Sequence, residues 1–512
     1  MILAFALVVW AALAVSHIDA VNITIAHRVR WAVLAGLAAA ALAYAASRPA
    51  RPLRPDRVVW LAAAFLAVVL ISTSWSVDAA LTLGRALTLV LLFVAAGAIA
   101  VGAGEGERPA RFVLLALLAG AAAIAVGGGI DLAVESERAL VPATTTSPTR
   151  YNGLGGNPNM MAMLLAVCLP LAAWAFLEAR STLGKAASAA VFVVFDASLV
   201  ASGSRGALLA AAVGLAALVL ALPYRRRIRV ALALGAIGLL ALNLGLTQLP
   251  QRADRNPVLN PEFGSQVPLG PRDAQFILPL ESELGFPAEG FSAKGRPRSL
   301  FSTSGRASAW DGALDQALER PALGYGFGTE DRVFVDRFYT FYSSTVENSY
   351  LGTALQLGLV GLGLLLGLIA ALSVRGARSL GSLPERTRPV AAACLGVVAA
   401  GVVLALTQSY LTSVGNPATV PFWLSAFLLA GLAATPRHRG PPARHEADER
   451  EAHEREEEAA QRDREARLDV MRGQYGGVGE HENRDPPGSA TPREREPESG
   501  QGERDQHPVE GL

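Results

Sequence analysis

Two arginines and a glutamate stand where an otherwise apolar chain turns polar. Arg205 lies in S-G-S-R-G-A (Ser202–Ala207), Arg306 in S-G-R-A-S-A-W (Ser304–Trp310), and Glu347 heads E-N-S-Y-L-G-T-A-L-Q-L-G-L-V-G (Glu347–Gly361). A guanidinium at a membrane edge is costly to desolvate and normally has an anionic partner. Around Arg205, glycines 203 and 206 let an anion approach closely, and the hydroxyls of Ser202 and Ser204 add hydrogen bonds to one. A snorkelling arginine at a helix end would also account for Arg205. Arg306 precedes an amphipathic run, Ala307–Glu319. There Ala309, Trp310, Ala313, Leu314 and Ala317 recur at helical spacing, with Asp311, Asp315 and Glu319 elsewhere on the cylinder. That places Arg306 near a helix N-terminus, whose free N–H groups and field favour anions; a plain surface arginine is the alternative. An unpaired carboxylate at the depth of Glu347 is expensive, so it must have an arginine partner or a proton to handle.

Other chemistries lack their residues. None of the seven histidines (17, 27, 438, 445, 453, 481 and 507) falls between the two arginine motifs, and no Cys or His cluster has metal-ligand spacing. The chain has neither a G-x-x-x-x-G-K-[ST] phosphate loop nor a G-x-S-x-G nucleophile elbow. No metal or cofactor is expected. Cys168 and Cys394 lie inside apolar runs, which argues against a disulfide framework. Lysine occurs only at 185 and 294, so arginine abundance reflects composition and only arginine position is informative.

The elements that must hold these residues are membrane helices. The chain is 52% hydrophobic and 17% charged, against about 25% charged in soluble domains, and its mean hydropathy is +0.34. Apolar runs predict an all-α, polytopic membrane helix bundle of about 12 transmembrane helices. They centre on Ile2–Ser16, Trp31–Ala46, Val58–Ser76, Ala86–Ala103, Phe112–Ile130, Met160–Leu177, Ala186–Ala201, Ala207–Pro223, Val230–Leu249, Asn348–Leu372, Val390–Leu406 and Val420–Ala434. The apolar N-terminus lacks a basic flank and reads as the first span rather than a cleaved signal. With the N-terminus inside, the inner loops carry about sixteen Arg or Lys and the short outer loops about six. That is the positive-inside pattern. Both termini are then cytoplasmic, and Arg205 and the long loop Pro250–Val346 lie outside.

Three divisions follow: N-terminal transmembrane helices (1–111), a main transmembrane domain (112–435) containing the extracytoplasmic loop (250–346), and a charged, disordered cytoplasmic tail (436–512). The tail has almost no large apolar residue and cannot fold by burial, although His445–Arg472 has Glu and Arg at spacings that suit a charged helix. A partner on the cytoplasmic side is one use for it. In the outer loop Asp131–Asn159, Pro158 suits the first turn of the next helix with Asn157 as its cap. P-A-L-G-Y-G-F-G (Pro321–Gly328) has glycines at alternate positions, which predicts a turn where backbone approaches something closely.

Taken together, N-P-N-M-M-A (Asn157–Ala162), S-G-S-R-G-A-L-L-A (Ser202–Ala210), S-G-R-A-S-A-W, R-P-A-L-G-Y-G-F-G (Arg320–Gly328) and the Glu347–Gly361 motif give a chain that resembles the O-antigen ligase-related family. That family also includes O-antigen and exopolysaccharide polymerases and some protein O-oligosaccharyltransferases. The resemblance spans roughly Phe112–Ala434 and rests on five motifs in order with the matching topology. It implies a metal-independent membrane glycosyl or oligosaccharyl transferase in the cytoplasmic (inner) membrane. The donor would be a glycan on undecaprenyl diphosphate, and the acceptor a hydroxyl of a glycan, lipid or protein at the outer face. Carried over, Arg205 and Arg306 are the diphosphate ligands, and Ser204, Asn348, Tyr350 and Asn159 complete the expected substrate-binding set. Many ligases have His-Asn at the head of the last motif where this chain has Glu347-Asn348. Glu347 is the expected general base on the acceptor hydroxyl, and its place there leaves ligation and polymerisation equally open.

Two other functions compete. A lipid-glycan flippase or polysaccharide transporter would show internal repeats and helices broken at mid-membrane; no clear repeat is present, and the charged candidates sit at one face. A non-enzymatic scaffold or sensor would use the outer loop and the tail. No feature points to nucleic acid.

Overall fold

The computed structural model describes residues 23–46, 56–103, 107–141, 149–155, 157–247, 306–334, 345–434, 455–468 and 470. The expected first span Ile2–Ser16, most of the long loop, and most of the tail lie outside the described residues. Two compact units separate, Met1–Arg437 and His438–Leu512.

The first unit is helical. Its long elements are α1 (Ile23–Ala46), α2 (Arg57–Ile71), α3 (Ala79–Ala103), α4 (Glu107–Val134), α5 (Pro158–Glu178), α6 (Thr182–Ser202), α7 (Arg205–Ala221), α8 (Arg226–Leu246), α9 (Arg306–Glu319), α10 (Ser349–Ser379), α11 (Arg388–Leu404) and α12 (Thr419–Ala434). Each of the other eleven expected spans overlaps a helix of the described residues. Seven helices, counted among the described residues, are long and apolar enough to cross a membrane: those beginning at Arg57, Ala79, Glu107, Pro158, Thr182, Arg226 and Ser349. Trp31–Tyr44, Arg205–Ala221, Arg388–Leu404 and Thr419–Ala433 are apolar but shorter. At 1.5 Å per residue, 17 residues of α7 or α11 reach only about 25 Å, short of the roughly 30 Å hydrocarbon core.

Three of these short helices are also central. α7, α11 and α12 pack together with α5, and most of their side chains are buried. Small residues set the α7–α11 distance. A Cβ on Gly214 would lie 2.8 Å from the Gly396 carbonyl oxygen, and one on Gly396 would lie 2.9 Å from that of Gly214. Such close backbone approach is how membrane helices gain packing without a hydrophobic driving force. Phe65, Phe93, Trp423 and Phe427 stack where α2, α3 and α12 meet. By contrast α6 and α8 leave Leu183, Val193, Leu234, Ile237 and Leu242 exposed, as lipid-facing helices do.

Polar contacts sort the loops into two ends. At one end Arg375 forms an ion pair with Asp56, and Arg111 reaches Glu178 at 3.2 Å. Both pairs join loops that the charge alternation assigns to one side. At the other end lie Arg205, Arg306 and Glu347, with the glycine-rich turn 321–328.

That turn answers the sequence expectation of close backbone approach. Glycines 324, 326 and 328 all have positive φ. What they approach is α10, which is not continuous: Gly358 is non-helical (φ 64, ψ −166). The break frees backbone groups that must be satisfied in an apolar surround, and the turn satisfies them. Tyr325 N–H donates to Leu355 O (3.1 Å), Gly326 N–H to Gln356 O (2.8 Å), Leu359 N–H to Pro321 O (2.7 Å) and Val360 N–H to Ala322 O (3.3 Å). A Cβ on Gly324 or Gly358 would overlap this facing backbone. The segment after α2 holds the turn from its other side, through Trp75 Nε1–H to Leu323 O (3.1 Å) and Val77 N–H to Tyr325 O (3.1 Å). Beyond the break, residues 359–379 are long enough to cross by themselves, so 349–357 is a stub standing at the end of the bundle that carries the arginines.

In the second unit residues 455–468 are helical, within the stretch expected to form a charged helix. Glu458–Arg462 (3.6 Å) and Asp463–Arg467 (3.1 Å) pair at i,i+4.

Candidate functional site

Arg205 is the first residue of α7, at a corner only two residues long. α6 ends at Gly203 in the left-handed region (φ 62), and Ser204 is the N-cap of α7 without a capping side-chain bond. Arg150 fixes this corner. A two-residue antiparallel ladder, Leu140↔Tyr151 and Val141↔Arg150, brings it in. Its Nε donates to Ser202 O (2.6 Å) and its Nη2 to Asn159 Oδ1 (2.7 Å). Asn157 caps α5 by accepting from Asn159 N–H, with Pro158 in the first turn, as expected. Asn159 therefore stands beside the Arg205 corner, with its side-chain oxygen already engaged by Arg150. Gly206 packs against Thr407, so the segment after α11 also reaches this corner.

Arg306 opens α9. Ala309, Ala313 and Ala317 form its buried stripe, while Asp311, Asp315 and Glu319 are exposed. Leu314 does not join the stripe as expected; it is 51% exposed. One residue past Ala313, it is rotated about 100° from the 309–313–317 line. The Arg306 Nη2 and the Glu347 carboxylate form an ion pair, with their side chains 20% and 17% exposed. The Arg306 Nε is buried without a hydrogen-bond partner. Arg205 lies near enough for its charge and that of Arg306 to act on one another. Arg306 and Glu347 thus pair at one end of the bundle, with Arg205 within electrostatic range of Arg306.

Glu347 is, among the described residues, the one non-glycine with positive φ (50°). This conformation costs about 1–3 kcal/mol and persists only when its surroundings impose it. They do so from both flanks. On one side Val346 N–H donates to Glu330 Oε1 (2.7 Å), and Val346 O accepts from Trp310 Nε1 (3.0 Å). On the other, Asn348 N–H donates to Ser409 Oγ (3.1 Å), whose hydroxyl donates to the same Glu330 Oε1 (2.8 Å). Asn348 Oδ1 caps α10 by accepting from the Tyr350 and Leu351 N–H groups (3.0 and 3.1 Å), and Tyr350 OH donates to Val402 O (2.9 Å). Asn348 and Tyr350 are therefore beside the pair, with these polar atoms engaged in holding α10.

Glu330 was not singled out from the sequence. It begins a one-turn helix, Glu330–Val333, just past the glycine turn and is buried. Its Oε2 accepts from Gln356 Nε2 (3.1 Å), and Gln356 Oε1 accepts from Gly328 N–H (2.6 Å). Room for the carboxyl comes from Gly352, where a Cβ would lie 2.7 Å from Oε2. Burial pushes its pKa up to about 7; the bonds from Ser409 and Val346 and the charge of Arg85 oppose the shift, and Asp331 adds to it. Ser409 was also missed. Both could be suspected only from polar residues set among apolar ones beside the recognised motifs, a weak signal. Among the described residues no group of three or more His, Cys, Asp or Glu is placed to hold a metal ion.

A multi-pass helical membrane protein with two arginines and a carboxylate gathered at one end of the bundle is the class this fold and site define. Residues 188–366, about a third of the chain, match the family model described as O-antigen ligase, and in this stretch the chain is similar to that family. The matched stretch begins in α6, contains Arg205, Arg306, the glycine turn, Glu330 and Glu347, and ends in α10. No curated protein matches the chain.

Proposed function

We propose that the protein transfers a glycan from undecaprenyl diphosphate to an acceptor hydroxyl at the outer face of the inner membrane, with both termini cytoplasmic. The observation that carries this reading is the pairing of Arg306 with Glu347, with Arg205 within electrostatic range of Arg306. Two guanidinium groups in mutual repulsion at an apolar boundary gain most from an anion of more than one charge, and a diphosphate is such an anion. The unpartnered Arg306 Nε offers it a further donor.

The chemistry follows from these groups. Arg205 and Arg306 hold the diphosphate, and Arg306 exchanges its contact with Glu347 for the phosphate oxygens. Glu347, released, accepts the proton of the acceptor hydroxyl. The acceptor oxygen bonds to the sugar anomeric carbon as the bond from that carbon to the phosphate oxygen breaks. The electron pair leaves with the diphosphate, whose growing charge the arginines stabilise. Ser204, Asn159, Asn348 and Tyr350 border the seat and complete the substrate-binding set.

One observation favours a transporter, the broken α10. Such breaks serve transport where they line a cavity; here the turn 321–326 fills the break. Proteoliposomes loaded with a lipid-diphosphate glycan and an acceptor separate the two readings. Transfer abolished by R205A and R306A supports the enzyme. Movement of donor lipid across the bilayer without transfer, or full transfer by both variants, overturns it. Glycan lengths in a deletion strain then separate ligation (long lipid-linked chains accumulate) from polymerisation (single repeats accumulate).

A further inference from the structure

We infer that Glu330 is a positioning residue for Glu347: a single carboxylate oxygen holds the backbone on both sides of Glu347 and so aims its side chain at Arg306.

The geometry is specific to that purpose. Glu330 Oε1 takes the Val346 N–H directly and the Asn348 N–H through the Ser409 hydroxyl, so Glu347 is bracketed at positions −1 and +1 by one atom. Trp310 secures the Val346 carbonyl from α9, the helix that Arg306 opens. The same network therefore registers Arg306 and Glu347 against one another. A carboxylate suits the task because each oxygen accepts two hydrogen bonds and neither must donate. The surrounding chain accommodates it at a cost, since the group is buried, Gly352 gives up a side chain, and Gln356 is oriented by Gly328 to face Oε2. A tie between α10 and the glycine turn alone would need none of this, because the backbone bonds across the α10 break already make it. What Glu330 adds is control of the left-handed residue between its two donors.

The consequence for rate rests on the glycan-transfer reading; the consequence for conformation does not. Purified E330A protein in nanodiscs, compared with wild type and E347Q by amide hydrogen exchange, should lose protection at Val346 and Asn348. E347Q should retain it. Unchanged protection of both amides in E330A overturns the inference, whether or not the protein transfers glycan. In the transfer assay E330A should lower kcat by about 10²-fold, the scale of a misplaced catalytic group, with KM for the lipid-linked donor changed by less than about threefold. E330A should add less than about twofold to the loss already caused by E347Q, because both act through one carboxylate. Losses that multiply, or wild-type kcat in E330A, overturn it. Should E330A fail to fold, S409A removes only the relay to Asn348 and E330Q keeps an acceptor at Oε1. S409A should lose protection at Asn348 alone, and E330Q should keep it at Val346; the opposite pattern overturns the inference. A wild-type protein without transfer but with the E330A exchange effect sinks the functional reading and leaves the positioning role standing.

Discussion

Arg306 and Glu347, 41 residues apart in the chain, form an ion pair where α9 and α10 begin. Each answers the other's desolvation. Removing one member leaves the other poorly solvated. Either R306A or E347A should destabilise the protein by about 2 kcal/mol, less than the 3–5 kcal/mol of fully buried pairs. The double variant should lose less than the sum of the two. Thermal unfolding in one detergent across the four proteins checks this.

For transfer, the three charged residues should separate by what they do. R205A and R306A should each lower the rate by about 10²–10³-fold, the usual loss when a preorganised donor to a developing charge is removed. Lysine at either position should restore little, since an ammonium cannot make the paired, planar contact of a guanidinium. E347Q should lose about 10²–10⁴-fold while keeping affinity for the donor lipid. Initial rates against donor concentration in proteoliposomes give all three values.

Glu330 should make stability depend on pH in a definite direction. Its folded pKa of about 7 lies above the ordinary glutamate value of 4.5. The native state therefore holds the proton longer than the unfolded chain does. Stability from this group is greatest below about 4.5, falls as pH rises toward 7 and is level above that. The raised value is worth ~3 kcal/mol over that window, and E330Q should flatten the profile. Melting temperatures from pH 4 to 8 for wild type and E330Q measure the difference.

The broken α10 makes a prediction about glycines. Gly358 has φ of 64°, and a Cβ there would overlap the Ala322 backbone, which cannot yield as a side chain can. G358A should cost more than about 3 kcal/mol, combining the left-handed penalty of about 1–2 kcal/mol with displacement of the turn. Gly363, on the same helix, faces open space, and a Cβ added there would meet nothing within 4 Å. G363A should be neutral or stabilising by up to about 1 kcal/mol. Yield of monodisperse protein and thermal unfolding report on both.

Much of this architecture is legible in the chain. Hydrophobic runs place the helices because a membrane span must bury a continuous stretch, and continuity is a local property. Asn157 and Pro158 read correctly as a helix start, since capping also depends on neighbours in sequence. The α9 stripe read correctly at Ala309, Ala313 and Ala317, and failed at Leu314, where the width of the contact with α10 decides what is covered.

By itself the sequence determined that Arg205, Arg306 and Glu347 stand where apolar segments turn polar, and that each would be costly to bury without a partner. The tertiary structure decided which charge meets which. It pairs Arg306 with Glu347, sets Arg205 within reach of the field of Arg306, and buries Glu330 where one oxygen brackets Glu347. It also decided that α10 breaks at Gly358 and that the glycine turn fills the gap. The physical reason is that local pattern fixes how much a residue costs to bury, whereas its partner is supplied by whatever distant segment the packing of the helices brings alongside.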